Sequence, residues 1–260
     1  PLLGEACATL DNLECASMSG NAFGSSVPIE LASLPNLEFL YLQNNSLTGD
    51  LSFMPHMAES KMIEFWMDDN PNVTFAHTRI KCGWGEWSLV QATLNAVQAA
   101  VEAFPDATHF YMLSGDCNSI KSAAYAHDFL DRDDKDYIES FDFLASGWIK
   151  TGMRQERLVY RHLVNERKHK RLFYWLMDLQ KRLHLERAIP EDVQIMIGSQ
   201  WWCLRRSTIE KILQFCKDRP DVIRFLRTTC IPDDTLFQTL VNHFVPARQT
   251  QTPTLTSLIP

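Results

Sequence analysis

One apolar frame with an asparagine recurs through the first 74 residues, and such a recurrence restricts a chain more than any single motif. Leu37, Leu40, Leu42, Asn45 and Leu47 repeat as Met62, Phe65, Met67, Asn70 and Val73, the first four displaced by 25 residues. The same frame backs up by 24 residues onto Leu13, Ala16, Met18, Asn21 and Phe23. The shared pattern is LxxLxLxxNxL. Its LxL centre puts two apolar side chains on one face of a short strand. The asparagine side chain pairs with backbone groups between turns, where a strand end lacks partners. A unit of this kind buries its apolar face only against its neighbours, so about three units are the minimum for a stack.

The pattern is that of leucine-rich repeats. LPNLEFLYLQNNSLTGDL carries it nearly in full, and Val27-Pro28 with Gly49 resembles the plant-type subclass. Residues from about 10 to 74 are therefore expected to form a short leucine-rich repeat remnant with no clear cap. Its frame leaves Glu38, Tyr41 and Gln43 outward, where a protein partner on the repeats is one reading.

Near residue 75 the character changes. The 260-residue chain is 45% hydrophobic and 22% charged, a globular composition. Its net charge of −7 argues against a nucleic-acid partner, which would require a basic balance or face. No apolar run reaches the roughly 18–20 residues that span a bilayer. Seven cysteines without a CxxC pair or a tight His/Cys cluster argue against zinc and for buried free thiols. No GxSxG elbow and no Gly-rich phosphate loop is present.

Helical spacing marks 88–104 through Leu89, Ala92, Ala96, Val97, Ala100, Val101 and Phe104, with Pro105-Asp106 as the stop. HFYML (109–113) reads as a buried strand, and 119–130 as a helix. DRDDKD (131–136) reads as an acidic loop and YIESFDF (137–143) as a strand. A long basic helix is expected over 156–185, a strand over 193–198, and helices over 208–217 and after Pro232. Strands alternating with helices imply an α/β sheet with active groups at strand ends.

Several constellations could carry chemistry. DRD and DKD match the DxD pattern of metal-dependent sugar-nucleotide transferases, although acidic runs are more often solvated loops. The basic stretch Arg161, Arg167, Lys168, Lys170, Arg171 is at most a local anion patch. Trp201 and Trp202 project to opposite sides of an extended backbone, so one can enter the core while the other borders a cleft. Asp233 sits where a helix N-cap belongs. Asp234 beside it is a candidate general base, since neighbouring carboxylates raise one another's pKa.

Taken in order, CGWGEWSLVQATLNAV, SGDCNSIK (114–121), IESFDF (138–143), GSQWWCL (198–204) and PDDTLFQTL (232–240) resemble the core-2/I-branching β-1,6-N-acetylglucosaminyltransferase and peptide xylosyltransferase family, closest to its bacterial branch. The likeness covers about 76–250. It implies a GT-A-like α/β domain over 76–260, incomplete at both ends relative to the family, behind a repeat segment at 1–75. It implies an inverting transferase that uses a UDP-sugar donor, a glycan or glycoprotein acceptor and no metal or other cofactor. Asp234 stands where the family carries its catalytic Glu. Ser114 and Asp116 fall in the donor segment, Arg157 on an acceptor-binding position, and Trp201, Trp202 and Asp233 beside the sugar site. N-acetylglucosamine is the expected sugar. Xylosyl transfer is the rival within the family, and an inactive binding protein with a vestigial sugar site is the rival outside it. Cys117 and Ser119 replace an Asp and a Pro of the family's donor segment. Its first nucleotide-binding strand should precede Cys82, and its basic diphosphate-binding residues should lie beyond residue 250. Eukaryotic relatives are membrane-associated in the Golgi.

Overall fold

A computed structural model describes residues 10–21, 23, 27, 29–42, 45–47, 64–66, 78, 80–113, 123–251 and 254–255. The chain divides into two compact units, one formed by 1–75 with 113–127 and the other by 76–112 with 128–260.

In the first unit, strands β1 (Cys15–Ser17), β2 (Phe39–Tyr41) and β3 (Glu64–Trp66) form a parallel sheet in that order. Ala16 pairs with Leu40 and Leu40 with Phe65, so the pairing offsets of 24 and 25 residues are those of the repeat. A short helix, α1 (Ile29–Ala32), precedes β2. Val27, Leu31, Leu34, Leu37, Leu40, Leu42 and Leu47 form the unit's core, with Leu13, Ala16, Met18 and Phe23 against it. Asn45 is buried. Its amide donates to Met18 O at 3.0 Å and Leu42 O at 2.9 Å, and its Oδ1 accepts from Phe23 N at 3.3 Å. That side chain closes three backbone groups from two successive turns.

The second unit opens with α2 (Trp87–Ala103). Its buried positions are Val90, Leu94 and Val97, so the core-facing stripe is rotated from the one read through Leu89, Ala92 and Ala96. β4 (His109–Tyr111) is a half-buried edge strand rather than a buried one, with Tyr111 exposed. After α3 (Ala123–Asp133), the expected single strand over 137–143 is two. β5 (Asp136–Ile138) and β6 (Phe141–Asp142) join different sheets. The long basic helix is also two, α4 (Glu156–Val159) and α5 (Lys170–Arg182). Between them backbone donors find other acceptors: Arg161 N bonds Gln180 Oε1, His162 N bonds Thr228 O, and Lys168 N bonds Asn165 Oδ1. Only the Asn165 acceptor is a local side chain of the kind that competes with the helical ladder; the other two are tertiary partners.

β7 (Met196–Ile197) pairs with β6, and β8 (Trp202–Arg205) forms the centre of the larger sheet. Helices α6 (Arg206–Asp218) and α7 (Pro220–Arg227) follow, the second not expected from the sequence. A 3₁₀ turn (Pro232–Asp234), helix α8 (Leu236–Phe244) and β9 (Thr250–Gln251) complete the unit. The larger sheet has the order β4-β8-β5-β9. β8 is antiparallel to both neighbours and β5 is parallel to β9, so the sheet is mixed.

The acidic run is structural where it meets this sheet. Asp136 is fully buried and accepts from Arg205 N at 2.8 Å, Arg205 Nη2 at 2.9 Å and Thr208 Oγ1 at 2.8 Å. Asp134 takes a positive φ of 39° and faces Arg205 at 3.5 Å. DRDDKD is thus a helix end and a strand start rather than a loop throughout; residues 131–134 are solvent-exposed as expected, and Asp136 is the buried exception. Of the described cysteines, Cys203 and Cys230 are buried and Cys216 is half-buried, while Cys15 and Cys82 are exposed; all five are free thiols.

Candidate active site

Asp233 and Asp234 lie in the 3₁₀ turn that Pro232 opens. The turn starts from Ile231, which holds a left-handed φ of 56°. A β-branched residue pays for that conformation only where its surroundings fix it. Gly85 fits against it: a Cβ there would sit 3.3 Å from Ile231 Cγ1, and Gly85 itself has φ +64°. The glycine of the WGEW segment therefore permits the close approach that holds the carboxylate turn.

A second anchor comes from β7. Gly198 N donates to Asp234 O at 3.0 Å, and Gln238 Nε2 on α8 donates to Ser199 O at 2.6 Å. A side chain at Gly198 would strike the Glu139 carbonyl. GSQ and PDD, 34 residues apart in Gly198 and Pro232, are thus stapled backbone to backbone.

Asp233 does not cap the following helix, as its position in the sequence suggests; Thr235 occupies the N-cap, and no side-chain cap bond forms. Asp233 Oδ1 is instead buried with no hydrogen-bond partner among the described residues, and the same is true of Arg157 Nε and Gln238 Oε1. Buried polar atoms are nearly always paired, so the orphaned Asp233 oxygen is a place for a polar ligand; His109 Nε2 and Ser146 Oγ are likewise buried without a partner among the described residues.

Burial raises the Asp233 carboxyl above its ordinary value. Asp234 is pushed up to about 7, first by burial and then by the charge of Asp233, with Arg157 pulling the other way. Part of the Asp234 surface still meets solvent. It is thus reachable yet poorly hydrated, the combination a proton acceptor near neutral pH requires.

The structure brings Arg157 to this pair although 77 residues separate it from Asp234. Cys230 N bonds Arg157 O at 3.3 Å, fixing α4 against the segment before the turn. Arg187 clamps the same junction. Its guanidinium donates to Leu158 O at 2.6 Å, Phe225 O at 2.7 Å and Thr229 Oγ1 at 2.9 Å. No sequence pattern marks Arg187, because its partners are backbone carbonyls of α4 and α7 and the threonines that follow α7. Burial pushes the Cys230 thiol up to about 11, so it stays protonated beside the carboxylates.

A cavity of about 530 Å³ adjoins the turn, with Cys230 and Ile231 in its wall and Trp84, His162, Asn165 and Glu166 facing it. Burial lowers the pKa of His162, whose ring nitrogen meets Glu156 O at 3.0 Å. Asn165 Nδ2 reaches Glu86 Oε1 at 2.7 Å, and Lys168 reaches the same oxygen at 3.1 Å. Arg167 lies over the Trp84 ring at 3.6 Å, so two members of the basic stretch serve this rim. The CGWGEWS segment, the first to carry the resemblance, contributes the lining residues Trp84, Gly85, Glu86, Trp87 and Ser88, to which the sequence assigns no role.

The two tryptophans separate. Trp202 is 2% exposed in the core, 4.8 Å from the Phe237 ring, and has no face to offer a sugar. Trp201 is half-buried. Ser114 and Asp116 lie outside the described residues. Among the described residues no group of three or more His, Cys, Asp or Glu could hold a metal ion.

These features define a mixed α/β domain in which the segment leading into a partly buried carboxylate pair, Cys230-Ile231, walls a polar-rimmed cavity. Residues 49–256 match the family model described as Core-2/I-Branching enzyme, which takes in about four fifths of the chain. The chain belongs to that family of glycosyltransferases, whose members take a sugar donor and a glycan acceptor. The match begins at residue 49, inside the repeating frame and well before the first family motif at Cys82.

Proposed function

We propose that the protein transfers N-acetylglucosamine from a UDP-sugar to an acceptor hydroxyl with inversion, and that Asp234 is the base. The acceptor oxygen would attack the anomeric carbon as its proton passes to Asp234. The bond from that carbon to the diphosphate oxygen breaks, and UDP leaves. The observation that carries the reading is the Asp234 carboxyl, held near neutrality by burial and Asp233 within the PDD segment that resembles the family's base motif. Arg157 keeps it from rising further, and Trp201 is the indole left to border the sugar. A GT-A-like arrangement and metal independence follow from the resemblance. The engagement of Asp136 with Arg205 and Thr208 supports metal independence, because it removes one carboxylate of the DxD run.

Residues 10–74 are read as a leucine-rich repeat segment, supported by the 24- and 25-residue strand offsets and by the Asn45 bonds.

The test is transfer from UDP-N-acetylglucosamine, with and without EDTA. Asp234→Asn should lower the rate roughly 10²–10⁴-fold at unchanged folding, and EDTA should leave the parent active. UDP-xylose in the same assay separates the xylosyl reading. A parent that binds neither donor is the vestigial protein, and Asp234→Asn as fast as the parent removes Asp234 as the base.

A further inference from the structure

Helix α5 is amphipathic twice over. It turns Phe173 and Met177 inward, both buried. Leu172, Trp175, Leu179 and Leu183, spaced by three, four and four residues, form a second apolar stripe along the helix. They are 45%, 58%, 36% and 57% exposed. At 3.6 residues per turn, Arg171 and Arg182 border the stripe on the Trp175 side. Arg167, Lys168 and Arg187 near this helix are engaged with Trp84, Glu86 and the Phe225 carbonyl, but α5 itself carries Lys170, Arg171, Lys181 and Arg182 against Asp178, a basic helix in a chain of net charge −7. Glu166 and Glu186 accept from Tyr174 Oη at 2.6 Å and Tyr160 Oη at 3.0 Å and keep their charge outside the helix, while Asp178 lies one turn before Arg182 within it.

We propose that this face docks the protein on an anionic lipid bilayer. Leucines with a single indole on a convex helix, edged by arginines, suit an interface where apolar groups enter the acyl boundary and guanidinium groups meet phosphates. Charge decides for lipid over an apolar protein groove: a groove rewards the leucines alone, whereas an anionic surface rewards the cations as well. The negative charge elsewhere on the chain is screened beyond about 10 Å, so the local basic face governs contact. This inference does not depend on the proposed transfer reaction.

The experiment is co-sedimentation of the full chain with vesicles of phosphatidylcholine alone, and with roughly a third phosphatidylserine. Binding to the anionic vesicles only is expected, weakening as salt rises. Trp175→Ser with Leu179→Ser should reduce it about tenfold or more, as should Arg171→Glu with Arg182→Glu. The altered side chains are exposed, so thermal melts of both variants should match the parent. Absence of binding to anionic vesicles overturns the proposal, as does binding that survives both double variants. Self-association without lipid that Trp175→Ser abolishes would instead make the stripe a contact between copies and overturn it equally.

Discussion

Asp234 ionises at the expense of the fold. A carboxyl in an unfolded chain titrates near 3.8, whereas Asp234 in place titrates near 7. Between those values the folded state holds a proton that the unfolded state has released, so stability falls as pH rises through this window. Removing the ionisation should reverse the trend. Asp234→Asn is expected to melt a few degrees above the parent at pH 7.5 and level with it at pH 4, measured by thermal denaturation across that range. Catalysis should run the opposite way, with the parent's transfer rate climbing along a limb centred near pH 7 as the base deprotonates. Arg157 is the cation that opposes the rise, so Arg157→Gln should move the limb to higher pH. A merely structural arginine would lower the rate without moving it. The sequence made Asp234 legible through its motif and its neighbour Asp233. Arg157 was legible only through a loose resemblance, and Arg187 through nothing, because its worth lies in carbonyls that folding gathers around it.

Elements formed where local pattern and tertiary partner agreed. The LxL frame marked β2, and the recurring asparagine marked the bonds that join its turns. Asn45→Ala would leave Phe23 N, Met18 O and Leu42 O without that partner, at about 1–3 kcal/mol for each group that stays dry. A loss of about 2–4 kcal/mol in total is expected by urea denaturation, with Asn45→Asp intermediate because it keeps the acceptor. The strand read over 137–143 divided because its two halves found different partners, β8 for Tyr137 and β7 for Phe141. Periodicity cannot register such a change of sheet. The helix read over 156–185 divided because Asn165 and Gln180 offered side-chain acceptors to the backbone between α4 and α5.

At the scale of the whole chain, the change in character near residue 75 lies at one division between the two units, but residues 113–127 group with the first, so the second unit is 76–112 with 128–260 rather than a continuous 76–260. Limited proteolysis is expected to cut first between residues 74 and 80 and to leave a protected fragment from the second unit, identified by mass and N-terminal sequence. Protection of an intact chain across that boundary would mean that the two segments resist as one body. By itself the sequence determined the repeat spacing, the family and the position of the PDD carboxylates. Those rest on residue type at fixed intervals, which a chain carries before it folds. Tertiary structure alone decided that Trp202 belongs to the core, that Asp136 is a buried partner of Arg205, and that Asp233 is an orphaned carboxylate rather than a helix cap. Each of these turns on burial and on partners distant in sequence, and both arise only when separate segments displace water from the same place.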